Sequence, residues 1–374
     1  MKITDVKVHV MHAIRRNWVF VKILTDEGIY GWGEGTLERQ ENAVKESVFH
    51  LAHMVVDEDP TRIQYLWQKM YRHGFWRGGV VIGSALSAID QALWDITGKV
   101  YGQPVYKLLG GTLRNRVKAY SHANDISTAH NLIEQGYSAL KTSGWITTKP
   151  DFLEEEVPSA LAEKISTMRN ELGPNVQIMI DNHGRSRPSL AIKQISAVAQ
   201  YNPTFFEEPT PPDSLDTLAV VRNAKPSIDL ATGERLFFRW GYKDLLGRNL
   251  VDIIQPDVCH CGGISEIMKI SSMAEVESVL VAPHNPNGPV ACAASVHVSA
   301  AMPNFMILET ARDMPWHDSV QIKPLTITNG FFDIPTEPGL GIDLDESVIA
   351  SRPYLHIEPN YSSWDSDDGT PKDV

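Results

Sequence analysis

The stretch "IMIDNHGR", residues 178–185, ends an apolar run on a carboxylate and an imidazole two positions apart. Ile178, Met179 and Ile180 are what a buried strand presents, and Asp181 and His183 share one face if the pleat continues. The pattern recurs. Between residues 117 and 310 the runs "VKAYSHA", "YSALKTS", "VQIMIDNH", "PTFFEEP", "IDLATGE", "VDIIQPDV", "SVLVAPH" and "FMILET" follow one another, separated by amphipathic stretches such as "ALAEKISTMRNELG". Eight strands alternating with helices predict an α/β fold built on a parallel (β/α)8-type barrel.

The chain before this rhythm is different. "ITDVKVHVMHA" and "NWVFVKILTDEGIYGWGE" alternate as antiparallel strands do, with Asp26, Glu27 and Gly28 at a turn. From Glu41 the spacing becomes helical, through "ENAVKESVFHLAHMVV" and "GSALSAIDQALWDITGKVYG". Strands followed by segregated helices predict an α+β domain. Near Ile322 the barrel rhythm gives way to the Gly/Pro-rich "LTITNGFFDIPTEPGLGIDLDE", expected to return to the first domain. The expected division is 1–115, 116–321 and 322–374.

Lys+Arg 34 against Asp+Glu 46 leaves a formal charge of −12, so the surface as a whole repels nucleic acid and acidic membranes. An anionic substrate then needs a local positive charge. No apolar stretch approaches the roughly 20 residues that span a bilayer, and the alternating N-terminus lacks a signal-peptide core, which predicts a cytoplasmic protein. Three cysteines, Cys259, Cys261 and Cys292, are too few for a disulfide framework. "CHCGG" from Cys259 is read as a strand-to-helix turn completed by Gly262 and Gly263, because a zinc site needs a second Cys/His cluster.

Active sites of such barrels lie at the C-terminal ends of the strands. Those ends supply Asp181 and His183, Glu207, Glu234, Asp257, His284 and Glu309. Asp181, Glu207 and Glu234, on three successive strands, repel one another unless a hard divalent cation such as Mg²⁺ neutralises them. The bland reading pairs each with a nearby base, for instance Glu234 with Arg235. Glu208 should point outward from a regular pleat and is left out of the ligand set. Asp257 and His284 end neighbouring strands, where a carboxylate can fix the imidazole tautomer and raise its basicity for general-base work. His183 faces them from across the mouth. His297, inside the helical pattern "ACAASVHVSAAM", is read as packing.

With these residues in place the chain resembles the enolase superfamily, mandelate racemase subgroup, and within it the galactonate dehydratase family. The likeness runs through "MKITDVKV", "TDEGIYGWGE", "RGGVVIGSALSAIDQALWDITGKVYGQPVYKLLGG", "DNHGR", "FFEEP", "TGER", "QPDVCHCGGI", "APHNPNGP" and "PGLGIDLDE". The resemblance implies a capping domain over a modified barrel, (β/α)7β, Mg²⁺ as cofactor, a homo-oligomer, and abstraction of the proton next to a carboxylate to give an enediolate. It implies Asp181, Glu207 and Glu234 as metal ligands and His284 with Asp257 as base dyad. His183 becomes the acid for the departing hydroxyl, and Glu309 the group beside the enediolate.

Related racemases end the second barrel strand in Lys-x-Lys, whereas here "LKTSG" keeps Lys141 and places Ser143 at the second position. That disfavours two-base racemisation, and the histidine on the third barrel strand, His183, favours elimination. "SHAND" at 121–125 also resembles the mannonate branch, in which a histidine at His122 contacts substrate. "PHNPNGP", and a segment after Lys141 too short for that branch's tyrosine-bearing loop, resemble the galactonate type. Specificity is expected from capping loops around Arg15 to Trp18 and Thr36 to Glu41, with Lys141, His122 and Trp18 as substrate contacts. The expected partner is a small acid sugar, D-galactonate first, then gluconate, mannonate or another hexonate. A racemase or epimerase using the same enediolate, or a non-catalytic relative, are the alternatives.

Overall fold

Alternation over residues 3–34 builds a meander. In the computed structural model, which describes residues 1–146, 154–311, 314, 316–358 and 369–370, β1 (Ile3–His12), β2 (Asn17–Thr25) and β3 (Tyr30–Glu34) form an antiparallel sheet in that order. Helices α1 (Glu41–Val55), α2 (Ile63–His73) and α3 (Val80–Tyr101) pack on it. Val19, Val21 and Ile23 meet Val44, Val48, Leu66, Ala85 and Ile89 in one buried cluster. The short α4 (Val105–Leu108) leads out of this layer.

Eight parallel strands follow: β4 (Arg116–His122), β5 (Ala139–Ser143), β6 (Gln177–Asp181), β7 (Phe205–Glu207), β8 (Asp229–Thr232), β9 (Ile253–Ile254), β10 (Leu280–Val281) and β11 (Leu308–Glu309). Consecutive strands from β4 to β10 are neighbours, β11 pairs in parallel with β4, and Phe305 bridges to Val281, which closes the ring. Between them run α5 (Ile126–Glu134), α6 (Val157–Leu172), α7 (Pro188–Val198), α8 (Leu215–Asn223), α9 (Phe238–Gly247), α10 (Ile264–Val276) and α11 (Pro289–Ala301). Among the described residues seven α-helices run between eight strands, the pattern (β/α)7β. The interior of the ring is packed by one residue from each strand or its margin, Tyr120, Ala139, Met179, Phe205, Ala231, Ile253, Ala282 and Ile307. The barrel is therefore a core with a mouth, and not a pore.

After the ring, β12 (Ile327–Thr328) and β13 (Phe331–Asp333) form a hairpin, and β13 adds antiparallel to the first residues of β4, Arg116 to Lys118. The chain then reaches the first sheet, where Asp343 accepts hydrogen bonds from Tyr30 Oη at 2.6 Å and Trp32 Nε1 at 2.7 Å, and Pro353 bridges to Met11. This segment thus serves both layers, whereas the sequence suggested only the first. Most of its residues past 358 lie outside the described ones.

The "CHCGG" turn is the seat for α3. Gly262 and Gly263 take φ of 111° and 79°, Gly262 N donates to Ser87 Oγ at 2.9 Å, and Ser265 N donates to Asp90 Oδ2 at 2.9 Å. All three cysteines are buried. Among the described residues no helix is long and apolar enough to cross a membrane.

Candidate active site

Register carries the strand-end groups to one level. Ser143 pairs with Asp181, and Asp181 with Glu207, along β5, β6 and β7. Glu234, Asp257 and His284 lie two to three residues past β8, β9 and β10, and Glu309 is the last residue of β11. Glu207, Asp257 and Glu309 are fully buried, forming a floor. The side chains of His122 and His183 are 43% and 50% exposed, forming a rim.

Strand β6 does not continue to His183. Asp181 Oδ1 accepts the His183 backbone N–H at 3.1 Å, a turn that stops the ladder, and His183 takes φ of 49°. The imidazole folds back, with Nε2 3.1 Å from Asp181 Oδ2. Asp181 beside it raises His183 to about 9, against the effect of burial.

Glu208 departs from the expectation of an outward side chain. A φ of 41° breaks the pleat after Glu207, and the carboxylate is buried on Arg235, whose Nε donates to Oε1 at 2.9 Å and whose NH2 also bonds it. Arg235 therefore pairs with Glu208 and not with Glu234, and its NH2 donates to His183 O at 2.9 Å. Trp18 also departs from expectation: its ring is wholly buried against Phe20 and edge-on to His317, so it offers no surface to a solute.

Lys141 Nζ lies 3.0 Å from Asp181 Oδ2, 3.1 Å from Glu207 Oε2 and 3.1 Å from Glu309 Oε1. Burial disfavours its charge, yet these three carboxylates hold the ammonium well above the usual lysine range. Burial likewise opposes charge on Asp181 and Glu309, but Lys141 together with His183 at Asp181, and with His284 and His122 at Glu309, outweighs it and keeps both well below the ordinary carboxylate value. Glu207, where burial and Asp181 act together, is pushed well up. His122 Nε2 bonds Glu309 Oε1 from the rim.

His284 is held on two sides. Nδ1 meets Asp257 Oδ2 at 2.7 Å, and Nε2 stands 3.4 Å from Glu234 Oε2 and 3.9 Å from Glu309 Oε2. Burial acts against the imidazolium, but Glu234, Glu309 and Asp257 raise it well above the ordinary histidine value. Asp257 also accepts from Cys259 N at 2.6 Å and Asn287 Nδ2 at 2.8 Å. Asn285 donates its backbone N–H to Glu309 Oε2 at 3.0 Å and its Nδ2 to Glu309 O at 3.1 Å. These asparagines were not singled out from the sequence, although "PHNPNGP" held the signal: two amides flanking a strand-end histidine. His297 is buried packing, its Nδ1 accepting from Tyr106 N at 3.2 Å and its Nε2 3.1 Å from Leu340 O.

Asp181, Glu207 and Glu234 have the donor chemistry of a hard-cation site, all carboxylate oxygen. Glu234 Oε2 is buried without a hydrogen-bond partner, an open acceptor of the kind a cation satisfies. Among the described residues, however, no three His, Cys, Asp or Glu side chains are gathered into a ready metal cage. The ammonium of Lys141 offsets Asp181 and Glu207 directly. The fit to Mg²⁺ is therefore one of donor type.

A model of the mandelate racemase / muconate lactonizing enzyme N-terminal domain matches residues 2–110, and one of the enolase C-terminal domain-like family matches residues 125–348. A D-galactonate dehydratase of Ralstonia pickettii (strain 12J) and one of Ralstonia nicotianae are each 35% identical over 99% of both chains. Among solved structures, an enolase from Agrobacterium radiobacter bound to sodium and L-malate superposes with TM-score 0.93 at 32% identity over 100% of both chains. A member of the enolase superfamily from Salmonella Typhimurium superposes with TM-score 0.88 at 30% identity, over 96% of this chain and 100% of the other. Matched in both domains and aligned end to end with such relatives, this chain belongs to the enolase superfamily, in its mandelate racemase / muconate lactonizing enzyme branch.

Proposed function

We propose that the protein is a Mg²⁺-dependent sugar-acid dehydratase that removes the C2 proton and C3 hydroxyl of an aldonate, D-galactonate being the first substrate to test. The observation that carries this reading is asymmetry across the mouth. Strands β6 and β10 are four apart in a ring of eight, so His183 and His284 approach from opposite sides. On the β5 side Lys141 is pinned as an ammonium among carboxylates, and Ser143 Oγ is spent on Trp145 O at 3.0 Å. A second base, which racemisation requires, is missing from that position.

With Nδ1 committed to Asp257, His284 presents Nε2 to take the C2 proton. It must be neutral to do so, and the anionic Glu234 and Glu309 beside it act against this until they are neutralised. The electrons of the C–H bond move into the carboxylate, giving an enediolate. Mg²⁺, held by Asp181, Glu207 and Glu234, would supply positive charge for the substrate carboxylate. Glu309, fixed by Asn285, sits on the enediolate side of the mouth. His183 then gives its proton to the C3 hydroxyl, which leaves as water from the opposite face. The resulting enol gains a proton at C3 as its C2 hydroxyl gives one up, and becomes a 2-keto-3-deoxy acid.

The dehydratase relatives support this reaction class, and the choice of acid sugar rests on them and on the capping loops. Arg15, Arg16, Asn17, Glu38, Arg39 and Glu41 line a cavity of about 310 Å³, to which Tyr354 and His356 contribute. Arg16 is paired there with Glu38 at 2.6 Å, and none of the strand-end groups of the barrel mouth lines this cavity. The short segment after Lys141, which weighed against the mannonate branch, runs into residues 147–153, outside the described ones. The reading also includes a cytoplasmic homo-oligomer divided at 115/116 and 321/322. A library of acid sugars incubated with enzyme and Mg²⁺ tests the function: a 2-keto-3-deoxy product supports it, and an epimer without keto acid overturns it in favour of an epimerase.

A further inference from the structure

The loop from His284 to Gly288 carries three of the contacts that hold the site, and then enters α11 with Pro289 in its first turn. The N-cap is Gly288, which has no side chain to satisfy the free N–H groups of the first turn. Those donors go to the other layer of the molecule. Glu34, the last residue of β3, accepts from Gly288 N at 2.7 Å on Oε1 and from Ala291 N at 2.9 Å on Oε2. Glu34 is fully buried and is itself held by Thr36 Oγ1, which donates to Oε1 at 2.6 Å and accepts from Val19 N at 3.1 Å. A Cβ on residue 288 would lie 2.7 Å from Glu34 Oε1, so a side chain there would have to push the carboxylate aside from its two N–H donors.

One position before Gly288, Asn287 Nδ2 donates to Asp257 Oδ2, the same oxygen that His284 Nδ1 meets. The loop is therefore strung between a carboxylate of the N-terminal sheet and the carboxylate of the histidine dyad. We propose that Glu34 is a positioning residue for the reaction: by capping α11 from the other layer it seats the 285–288 loop, and through Asn287 it aligns Asp257 and His284. Docking of the N-terminal layer thereby becomes a condition for an oriented base. This rests on the reading of His284 as the base.

The test uses the full-length enzyme with Mg²⁺ and the best acid-sugar substrate, protonated or deuterated at C2. Glu34→Gln keeps the shape but turns an amide N–H toward one of the two backbone donors. It should lower kcat about 10- to 100-fold, equivalent to losing a charge-assisted hydrogen bond, with KM changed less than about threefold. The C2 isotope effect on kcat should rise, since proton abstraction becomes slower, whereas a smaller folded fraction would leave the isotope effect unchanged. A crystal structure of the variant should show the 285–288 loop displaced and the His284 Nδ1 to Asp257 Oδ2 contact lengthened. Thr36→Val, which strips one bond from Glu34 and leaves its carboxylate, should act in the same direction more weakly, and it carries the test if Glu34→Gln does not fold. An unshifted loop with unchanged kcat and isotope effect would reduce Glu34 to glue between layers and overturn the proposal. If His284→Asn retains full turnover, the base assignment fails instead, and the crystallographic comparison still decides whether Glu34 seats the loop.

Discussion

His284 and His183 face the same carboxylate floor from opposite strands, but they are held very differently. His284 is 17% exposed, bonded through Nδ1 to a buried Asp257 that is itself fixed by Asn287 and a backbone N–H. His183 is 50% exposed, sits on a left-handed turn, and leans on Asp181 through one ion pair while Arg235 anchors only its carbonyl. A group that must take a proton from one carbon gains from fixed geometry. A group that delivers a proton to a leaving hydroxyl at the rim tolerates motion and solvent. On this view the built side is the base side.

The largest effect should come from separating the two. His284→Asn should cost about 10⁴-fold in turnover, the upper range for a general base, and should block C2 deuterium wash-in from D₂O. His183→Asn should form no keto acid yet still exchange C2 with solvent deuterium. Proton NMR of recovered substrate reads both, and deuterium at C2 in the His284 variant but not in the His183 variant would reverse the assignment.

The built side should also carry an acid weakness. Burial lowers His297, on α11, to about 4, so between the unfolded value near 6.5 and that value the unfolded chain binds the extra proton. The stability is complete above pH 6.5 and is lost as pH falls toward 4, by up to about 3 kcal/mol. Urea unfolding from pH 7 to pH 4 should show this slope, and His297→Gln should flatten it. An unchanged slope would mean that His297 does not control the acid limb.

Glu234 belongs to both sides, being near His284 and in the proposed ligand set. Glu234→Gln should raise the Mg²⁺ needed for half activity about 100-fold, as one negative charge is lost from a partly desolvated site. Full activity after exhaustive chelation would sink the metal assignment and leave Lys141 as the resident cation.

What could be read from the sequence was set by periodicity. Apolar runs ending in Asp181, Glu207, Glu234, Asp257, His284 and Glu309 gave the ring and the groups at its mouth, because a parallel barrel places strand ends together wherever the helices lead. What could not be read depended on single dihedral angles and distant partners. Glu208 and His183 both take positive φ, which no pleat rule anticipates, and Arg235 chose Glu208 over its sequence neighbour. Glu34 reaches Gly288 across 254 positions. Trp18 looked like a loop residue but is the second residue of a strand whose first five residues are all buried.

The third segment also sets an order in time. Tyr30 and Trp32 donate to Asp343, 313 and 311 positions later, so this sheet leaves the ribosome well before the carboxylate that accepts from it is made. At about 5–20 residues per second this delay is roughly 15–60 s. Through that interval Tyr30 Oη and Trp32 Nε1 of the nascent sheet lack their acceptor, and the interval is when a chaperone has most to protect.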